Sequence, residues 1–211
     1  MKDNEQAKLL EVVNRNAKRL HRLTEDILDV TKIESQSLNL KKEQFNLNEV
    51  ITNAIEDTMT KKVSFPSSSI KTMNPKIKLL NSQQSQDVSV YADKGRIGQV
   101  VSNLLDNAVK FTKAEEGNIT IMIKKEGGEE VQNNNNEQVI VSIKDTGTWI
   151  DSEILPRLFT KFATKSQTGG TGLGLFICKG IVEAHGGRMW AENNKDDEKG
   201  ATFYFTLPLT R

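Results

Sequence analysis

The sequence predicts an α+β chain: a two-layer sandwich of one mixed β-sheet and one helical layer, preceded by a long N-terminal helix. Three observations predict it. The first residues, about thirty of them, repeat apolar side chains at steps of four and three. The remainder breaks into short apolar strands that are mostly hairpin neighbours, and amphipathic helices cluster between those strands.

The N-terminal segment places Leu9, Val13, Asn16, Leu20, Leu23, Ile27 and Val30 on one heptad seam. Its charges balance, seven basic against seven acidic over residues 1–34, which is unlike a basic nucleic-acid helix. A single-seam helix of that length cannot bury its own stripe, so a homodimer or a partner helix is expected. A domain boundary is expected near Ser35–Leu40, dividing residues 1–36 from 37–211. Beyond it, short alternation around Ser37–Gln44 leads to a helix capped by Asn46 or Asn48, with Leu47, Val50, Ile51, Ala54 and Ile55 as its apolar face. Ser64–Asn74 reads as a loop, with Pro66 inside it and Pro75 just beyond.

Strands are expected at Lys76–Leu80 and Val88–Ala92, then a strong helix at Arg96–Phe111. Strands Asn118–Lys125 and Gln138–Lys144 flank Gly127, Gly128 and the polar run Asn133–Asn136, read as a mobile hairpin connection. The last third gives a short helix near Ser152–Phe159, a glycine-rich stretch, a helix from about Leu173 to His185, and strands Gly187–Glu192 and Ala201–Leu207.

Composition narrows the function. The 211 residues carry a formal net charge of +1, which removes the first reason to expect nucleic acid or an anionic membrane as partner. Mean hydropathy is −0.51. No apolar run approaches the roughly 18 residues of a membrane span, and neither a span nor a signal peptide is expected. The lone Cys178 excludes an internal disulfide and fits a reducing, cytoplasmic setting. His21 and His185 are the only histidines and lie far apart, so a zinc or haem site is not expected.

Three stretches could carry chemistry. On the helix Arg96–Phe111, the residues Arg96, Gln99, Asn103, Asn107 and Lys110 form a polar stripe beside the apolar face. It could be an ordinary solvated face. Asparagine is a mediocre helix former, however, and amide oxygens suit a hard cation such as Mg²⁺ that phosphate already partly neutralises. The buried-type strand Val139–Ile143 ends in Asp145-Thr146-Gly147; the carboxylate could close a turn, or could accept a hydrogen bond from an exocyclic amine such as adenine's. Gly169-Gly170-Thr171-Gly172-Leu173-Gly174-Leu175 runs into an amphipathic helix, as a hinge would or as a phosphate cradle would. It matches neither a Walker A loop nor a Rossmann turn. The conjunction, in this order, favours nucleotide.

In that order the motifs resemble those of sensor histidine kinases. RIGQVVSNLLDNAVKFT from Arg96 to Thr112 is similar to their asparagine box, Asp145–Ile150 to the first glycine box, LFTKF at Leu158–Phe162 to the phenylalanine box, and GTGLGL at Gly170–Leu175 to the second glycine box. GIVEAHGG and GATFYFTLP continue the likeness, which covers roughly Leu38–Leu207. The N-terminal helix, closing in LDVTKIES, resembles the second helix of the dimerisation and histidine-phosphotransfer hairpin.

The resemblance implies the Bergerat ATP-binding sandwich. It implies that Asn107 holds Mg²⁺, that Asn103 and Lys110 contact phosphates, and that Asp145 binds the adenine amine with Gly147 and Ile150 beside it. It also implies an ATP lid over about 151–171 with Phe159 and Phe162 as packing anchors, a phosphate-lining run of Gly170, Thr171, Gly172, Leu173, Gly174 and Leu175, and help from Thr202 at the adenine end. The family's reaction moves the γ-phosphoryl of ATP to a histidine and then to an aspartate of a response regulator.

Two departures qualify this. The family's acceptor histidine, on the first hairpin helix and followed by an acidic residue, has no counterpart. His21 precedes Arg22 and His185 closes a helix, so neither is expected to accept phosphate and the chain is expected to be a fragment of a longer kinase. The first glycine box carries Trp149 where the family has glycine. Strain or lost volume there predicts impaired nucleotide binding, whereas an outward swing, or stacking on a base, would spare it. The alternative function is thus a pseudokinase-like module that dimerises and docks a regulator. A relative of the topoisomerase or chaperone ATPases is a third reading, which the family's catalytic Glu at the position of Asn103 opposes.

Overall fold

The computed structural model describes residues 2–63, 75–81, 87–113, 117–127, 137–163, 171–195 and 198–209. The loop expected at 64–74, the Asn133–Asn136 run, Gly128, Gly169 and Gly170 lie outside them.

Helix α1 spans Lys2–Glu34. Strand β1 (Glu43–Asn46) leads directly into α2 (Leu47–Val63), where the Asn46 Oδ1 accepts the Asn48 N–H at 2.9 Å, making Asn46 the cap. Strands β2 (Lys76–Asn81) and β3 (Ser89–Ala92) precede α3 (Lys94–Phe111). Then come β4 (Asn118–Glu126), β5 (Gln138–Asp145), α4 (Gly174–Ala184), β6 (Met189–Asn193) and β7 (Ala201–Pro208).

Five strands form one mixed sheet in the order β2-β4-β5-β7-β6, with β2 parallel to β4 and the other pairings antiparallel. This mixed sheet and its helical layer are the expected sandwich; strand β3 stands outside it and pairs with β1 in a separate antiparallel ribbon, register Phe45 to Val90. Alternation cannot name a strand's partner, only its buried face. The helix expected at Ser152–Phe159 is corrected: a single 3₁₀ turn, Leu155–Arg157, stands there around Pro156. Proline lacks the N–H and clashes with a continuing helical ladder, so the turn stays short.

The core lies between sheet and helices. Ile119, Ile121 and Ile123 of β4, Val139, Val141 and Ile143 of β5, and Phe205 and Leu207 of β7 bury alternate positions against Val100, Leu104 and Ile181 of the helices. This period of two against a period near four is what the apolar pattern encodes. Asp93 starts α3: its carboxylate accepts N–H bonds from Arg96 at 3.0 Å and Lys41 at 2.8 Å, and its own N–H donates to His185 Nε2 at 2.9 Å. The second ring nitrogen of His185 lies 2.8 Å from the Ile181 carbonyl, so Nδ1 carries the proton. Burial lowers the His185 pKa and keeps the ring neutral as a structural link.

The seam of α1 divides. Leu9, Val13, Leu20 and Ile27 are exposed, whereas Val30 is buried and Leu23 faces a cavity described below. The last turns of α1 dock on the sandwich. Asp29, nearly buried, accepts from Arg96 at 2.7 Å and from Gln99 at 2.8 Å, and Ile33 packs so closely on Gly180 that a Cβ there would meet it at 2.7 Å. Of the seam read from the sequence, Leu9, Val13, Leu20 and Ile27 are left exposed by the chain's own fold, whereas Leu23 and Val30 face the sandwich.

Candidate functional site

A cavity of about 700 Å³ opens between α3, the end of β5, the segment 148–163, the start of α4 and the side of α1. The polar stripe of α3 splits along its length. Arg96 and Gln99 turn to Asp29, while Asn103, Asn107 and Lys110, one turn apart, line the cavity. Burial pushes the Lys110 amine down in pKa. Asn103 also reaches the Cys178 thiol, whose pKa burial raises to about 12; Cys178 is an inert core group.

Asp145 stands opposite, at the end of β5. Its side chain is buried and its Oδ1 accepts the Gly147 N–H at 2.8 Å. Burial raises its pKa, against which the N–H groups of Gly147 and Ala201 pull. Gly147 is required for room: a Cβ would lie 2.3 Å from the Phe111 carbonyl oxygen and 2.9 Å from Asp145 Oδ1. Ile150, half-buried, lines the cavity and exchanges two bonds with Asn193, its N–H donating at 2.7 Å and its carbonyl accepting at 2.9 Å.

The glycine-rich run meets the α3 stripe from the other side. Thr171, Gly172, Gly174 and Leu175 line the cavity, and a Cβ at Gly174 would meet the Asn103 amide at 3.8 Å. Gly172 has φ +70°, and a Cβ would lie 2.8 Å from the Phe162 backbone, so this turn needs glycine on both counts. Leu173 is buried beneath the turn, its N–H donating to Thr171 Oγ1 at 3.3 Å. Gly170 falls outside the described residues. Thr202 is off the wall: its hydroxyl donates to Asn194 Oδ1 at 2.7 Å, and the Asn194 amide donates to the Asp145 carbonyl at 2.8 Å. Thr202 reaches Asp145 only through Asn194.

In the segment expected to form a lid, whose residues 164–170 lie outside the described ones, Phe159 packs on the core as expected, but Phe162 does not. It is 69% exposed with φ +61° and its N–H donates to the Gly172 carbonyl at 3.0 Å. Its place is set by the backbone pairing with Gly172, not by packing.

At Trp149 one ground for expecting impaired nucleotide binding, backbone strain, is absent. Its φ is not in the left-handed region, so no backbone strain accompanies the replacement of glycine. The indole lines the cavity, 57% exposed, with Nε1–H donating to the Glu198 carbonyl at 3.1 Å.

Sequence reading missed one wall altogether. Arg19, Arg22, Leu23 and Asp26 of α1 line the cavity, Arg22 lies 3.8 Å from Asp106, and the Thr171 hydroxyl reaches Asp26 at 3.4 Å. Burial raises the Asp26 pKa, and the bond from Thr171 opposes it. The only available signal was the charge flanking the seam, which a solvated helix carries equally.

Residues 92–211 match the family described as histidine kinase-, DNA gyrase B-, and HSP90-like ATPase. The chain is 30% identical over 209 residues to sensor histidine kinase WalK of Bacillus subtilis (strain 168), covering 95% of this chain and 30% of that protein. It is 43% identical over 125 residues to the adaptive-response sensory kinase SasA of Gloeothece citriformis (strain PCC 7424), covering 58% and 29%. The chain thus spans about 30% of the length of these relatives. Among solved structures, the catalytic domain of histidine kinase ThkA superposes with a TM-score of 0.62 at 32% identity, over 81% of this chain and 99% of that one. Full-length ShkA in complex with AMPPNP superposes with a TM-score of 0.73 at 23% identity, over 98% and 39%, a likeness of fold.

Proposed function

The chain belongs to the histidine kinase-, DNA gyrase B-, and HSP90-like ATPases and is similar to sensor histidine kinases along its length, and from that premise we propose that it is the ATP-binding catalytic part of a two-component kinase. In this reading residues 37–211 bind ATP and residues 1–36 belong to the dimerisation and phosphotransfer hairpin. The observation that carries it is the meeting of the Asn103, Asn107 and Lys110 stripe with Asp145 across one cavity. The carboxylate of Asp145 accepts the adenine amine, and Gly147 keeps the Phe111 carbonyl from being pushed into the base. Asn103, Lys110 and the glycine-rich turn from Thr171 to Leu175, at the start of α4, face the phosphates, where a helix N-terminus favours negative charge.

Magnesium fits this donor set. Among the described residues no group of three or more His, Cys, Asp or Glu could hold a metal, and the Asn107 amide on the cavity wall has no partner among them. Mg²⁺ keeps several waters and takes one or two protein oxygens plus substrate phosphates, so a single amide suffices. Bound there, the ion would neutralise charge on the phosphates. The protein's own residues hold the nucleotide and its γ-phosphorus in place; positioning supplies most of the rate in such transfers. The γ-phosphorus leaves the bridging oxygen of ADP and bonds to a histidine nitrogen of another segment or subunit, for relay to a response-regulator aspartate.

His185 is excluded as acceptor by its two engaged ring nitrogens, and His21, exposed 3.4 Å from Glu25, lies on the flank of α1. The docking-module alternative has no backbone strain at Trp149 to rest on. No described helix is long and apolar enough to cross a membrane. Calorimetric titration with a non-hydrolysable ATP analogue tests the reading. Binding that tightens with Mg²⁺, and loses that dependence in Asn107→Ala, is expected; absence of binding with and without Mg²⁺ overturns it.

A further inference from the structure

Trp149 lines the cavity at a position where the family's box carries glycine, and its surroundings give it a place. Its indole shares the cavity wall with Asp145, Thr148 and Ile150. It is not left to swing freely: Nε1–H donates to the Glu198 carbonyl, and the Glu198 carboxylate pairs with Lys144 on β5. The same β6–β7 connection supports Asp145. Asn194 donates to the Asp145 carbonyl at 2.8 Å and to the Lys199 carbonyl at 3.0 Å, and Gly200 packs so closely that a Cβ would meet the Asp145 carbonyl oxygen at 2.1 Å.

One loop therefore holds both a buried carboxylate, which reads the edge of a base, and an aromatic residue that stays more than half exposed beside it. A carboxylate contact to an exocyclic amine leaves the faces of the base to apolar groups. An indole with its N–H already satisfied offers one such face without a desolvation penalty for its polar atom.

We propose that Trp149 is a stacking platform for the adenine ring, a base-binding residue particular to this chain. The inference rests on the reading of the cavity as an adenine-nucleotide site and adds a contact that reading does not need. Stacking of a base on an aromatic side chain is sequence-tolerant but specific to a flat ring, so the contact answers to adenosine and not to phosphate.

Two measurements on the whole chain test it, tryptophan emission and calorimetry, in a Trp190→Phe background. Trp190 is the other tryptophan, stacked on Tyr204 at 4.9 Å between centroids, and phenylalanine keeps that stack. Adenosine and ATP are expected to change Trp149 emission along the calorimetric binding curve, and inorganic triphosphate is expected to leave it unchanged. Trp149→Gly should bind adenosine about tenfold more weakly, and Trp149→Phe within about threefold of the parent. Adenosine binding without an emission change, or Trp149→Gly binding equally or more tightly, overturns the platform while sparing the nucleotide site. Emission that follows triphosphate alone overturns it too. No binding of adenosine or ATP by any variant overturns both.

Discussion

The two ends of the cavity are built in different ways. At the Asp145 end the contacts run to backbone: Gly147 and Ala201 N–H groups on the carboxylate, the Asn194 amide on the carbonyl, and the Phe111 carbonyl closing the space behind Gly147. At the Thr171 end the turn itself is held by the Phe162 N–H on the Gly172 carbonyl, but its contacts toward α1 are long and made between side chains on different elements, Thr171 to Asp26 at 3.4 Å and Arg22 to Asp106 at 3.8 Å. Backbone and glycine geometry can hold one arrangement only. Half-exposed charges at such distances contribute little and yield to a ligand. The first end is preorganised, so a base bound there as proposed would meet it at little reorganisation cost; the second is adjustable, its charges weakly engaged with one another.

The largest effect should come from filling the space behind the base. Gly147→Ala drives a methyl group to within 2.3 Å of the Phe111 carbonyl oxygen, and neither partner is a flexible side chain. We expect nucleotide affinity to fall by about a hundredfold or more, with stability reduced by about 1–3 kcal/mol from overpacking. Calorimetry with ATP and a urea melt check both; retained affinity would mean that this end is as adjustable as the other. Asp145→Asn comes next. It keeps an acceptor for Gly147 but replaces the charged acceptor proposed for the adenine amine, and affinity should drop roughly 10- to 100-fold. Stability should move the opposite way. Burial raises the folded-state pKa of Asp145 above its unfolded value, so its favourable contribution is present in acid and is lost as pH rises through the folded value. Asp145→Asn should therefore be at least as stable as the parent at neutral pH, an advantage that disappears on acidification; thermal melts across that range check it. ATP affinity of the parent should also fall as acidification protonates Asp145.

The same contrast explains what was legible in the sequence. Asp145, Gly147 and the run from Thr171 to Leu175 were readable because each is a local solution: a strand end, a close backbone approach, a turn into a helix. The core faces of β4, β5, α3 and α4 were readable for the same reason, since periodicity is local. What depends on elements far apart in the chain was not. No pattern in β3 announces that it leaves the main sheet for β1, nor does the seam of α1 announce that Leu23 and Val30 turn inwards while Leu9 and Val13 stay outside. The split of the α3 stripe, Arg96 and Gln99 to Asp29 but Asn103 and Asn107 to the cavity, is fixed by where α1 docks. Trp149 was legible as a departure, yet its direction depends on a carbonyl 49 residues away.

Docking of α1 gives the next prediction, intermediate in size. Arg96→Ala leaves the Asp29 carboxylate, with a side-chain exposure of 8%, facing only the Gln99 amide. Removing one partner of a nearly buried pair should cost about 2–4 kcal/mol, most of it the penalty of a stranded charge. Asp29→Asn added to it should recover much of the loss in a urea melt. ATP affinity should change by less than about threefold, because neither residue lines the cavity.

The smallest effect belongs to the adjustable end. Arg22→Ala removes a pair whose side chains are 65% and 38% exposed, and stability should fall by no more than about 0.5 kcal/mol, less in added salt. Its effect on ATP affinity sharpens the comparison. If the weak pairing with Asp106 is all that Arg22 does, ATP and adenosine should lose affinity alike and by less than about twofold. A tenfold loss for ATP with none for adenosine would give α1 a direct hold on the phosphates. The two ends would then differ in timing more than in strength, one set by folding and the other completed when nucleotide arrives.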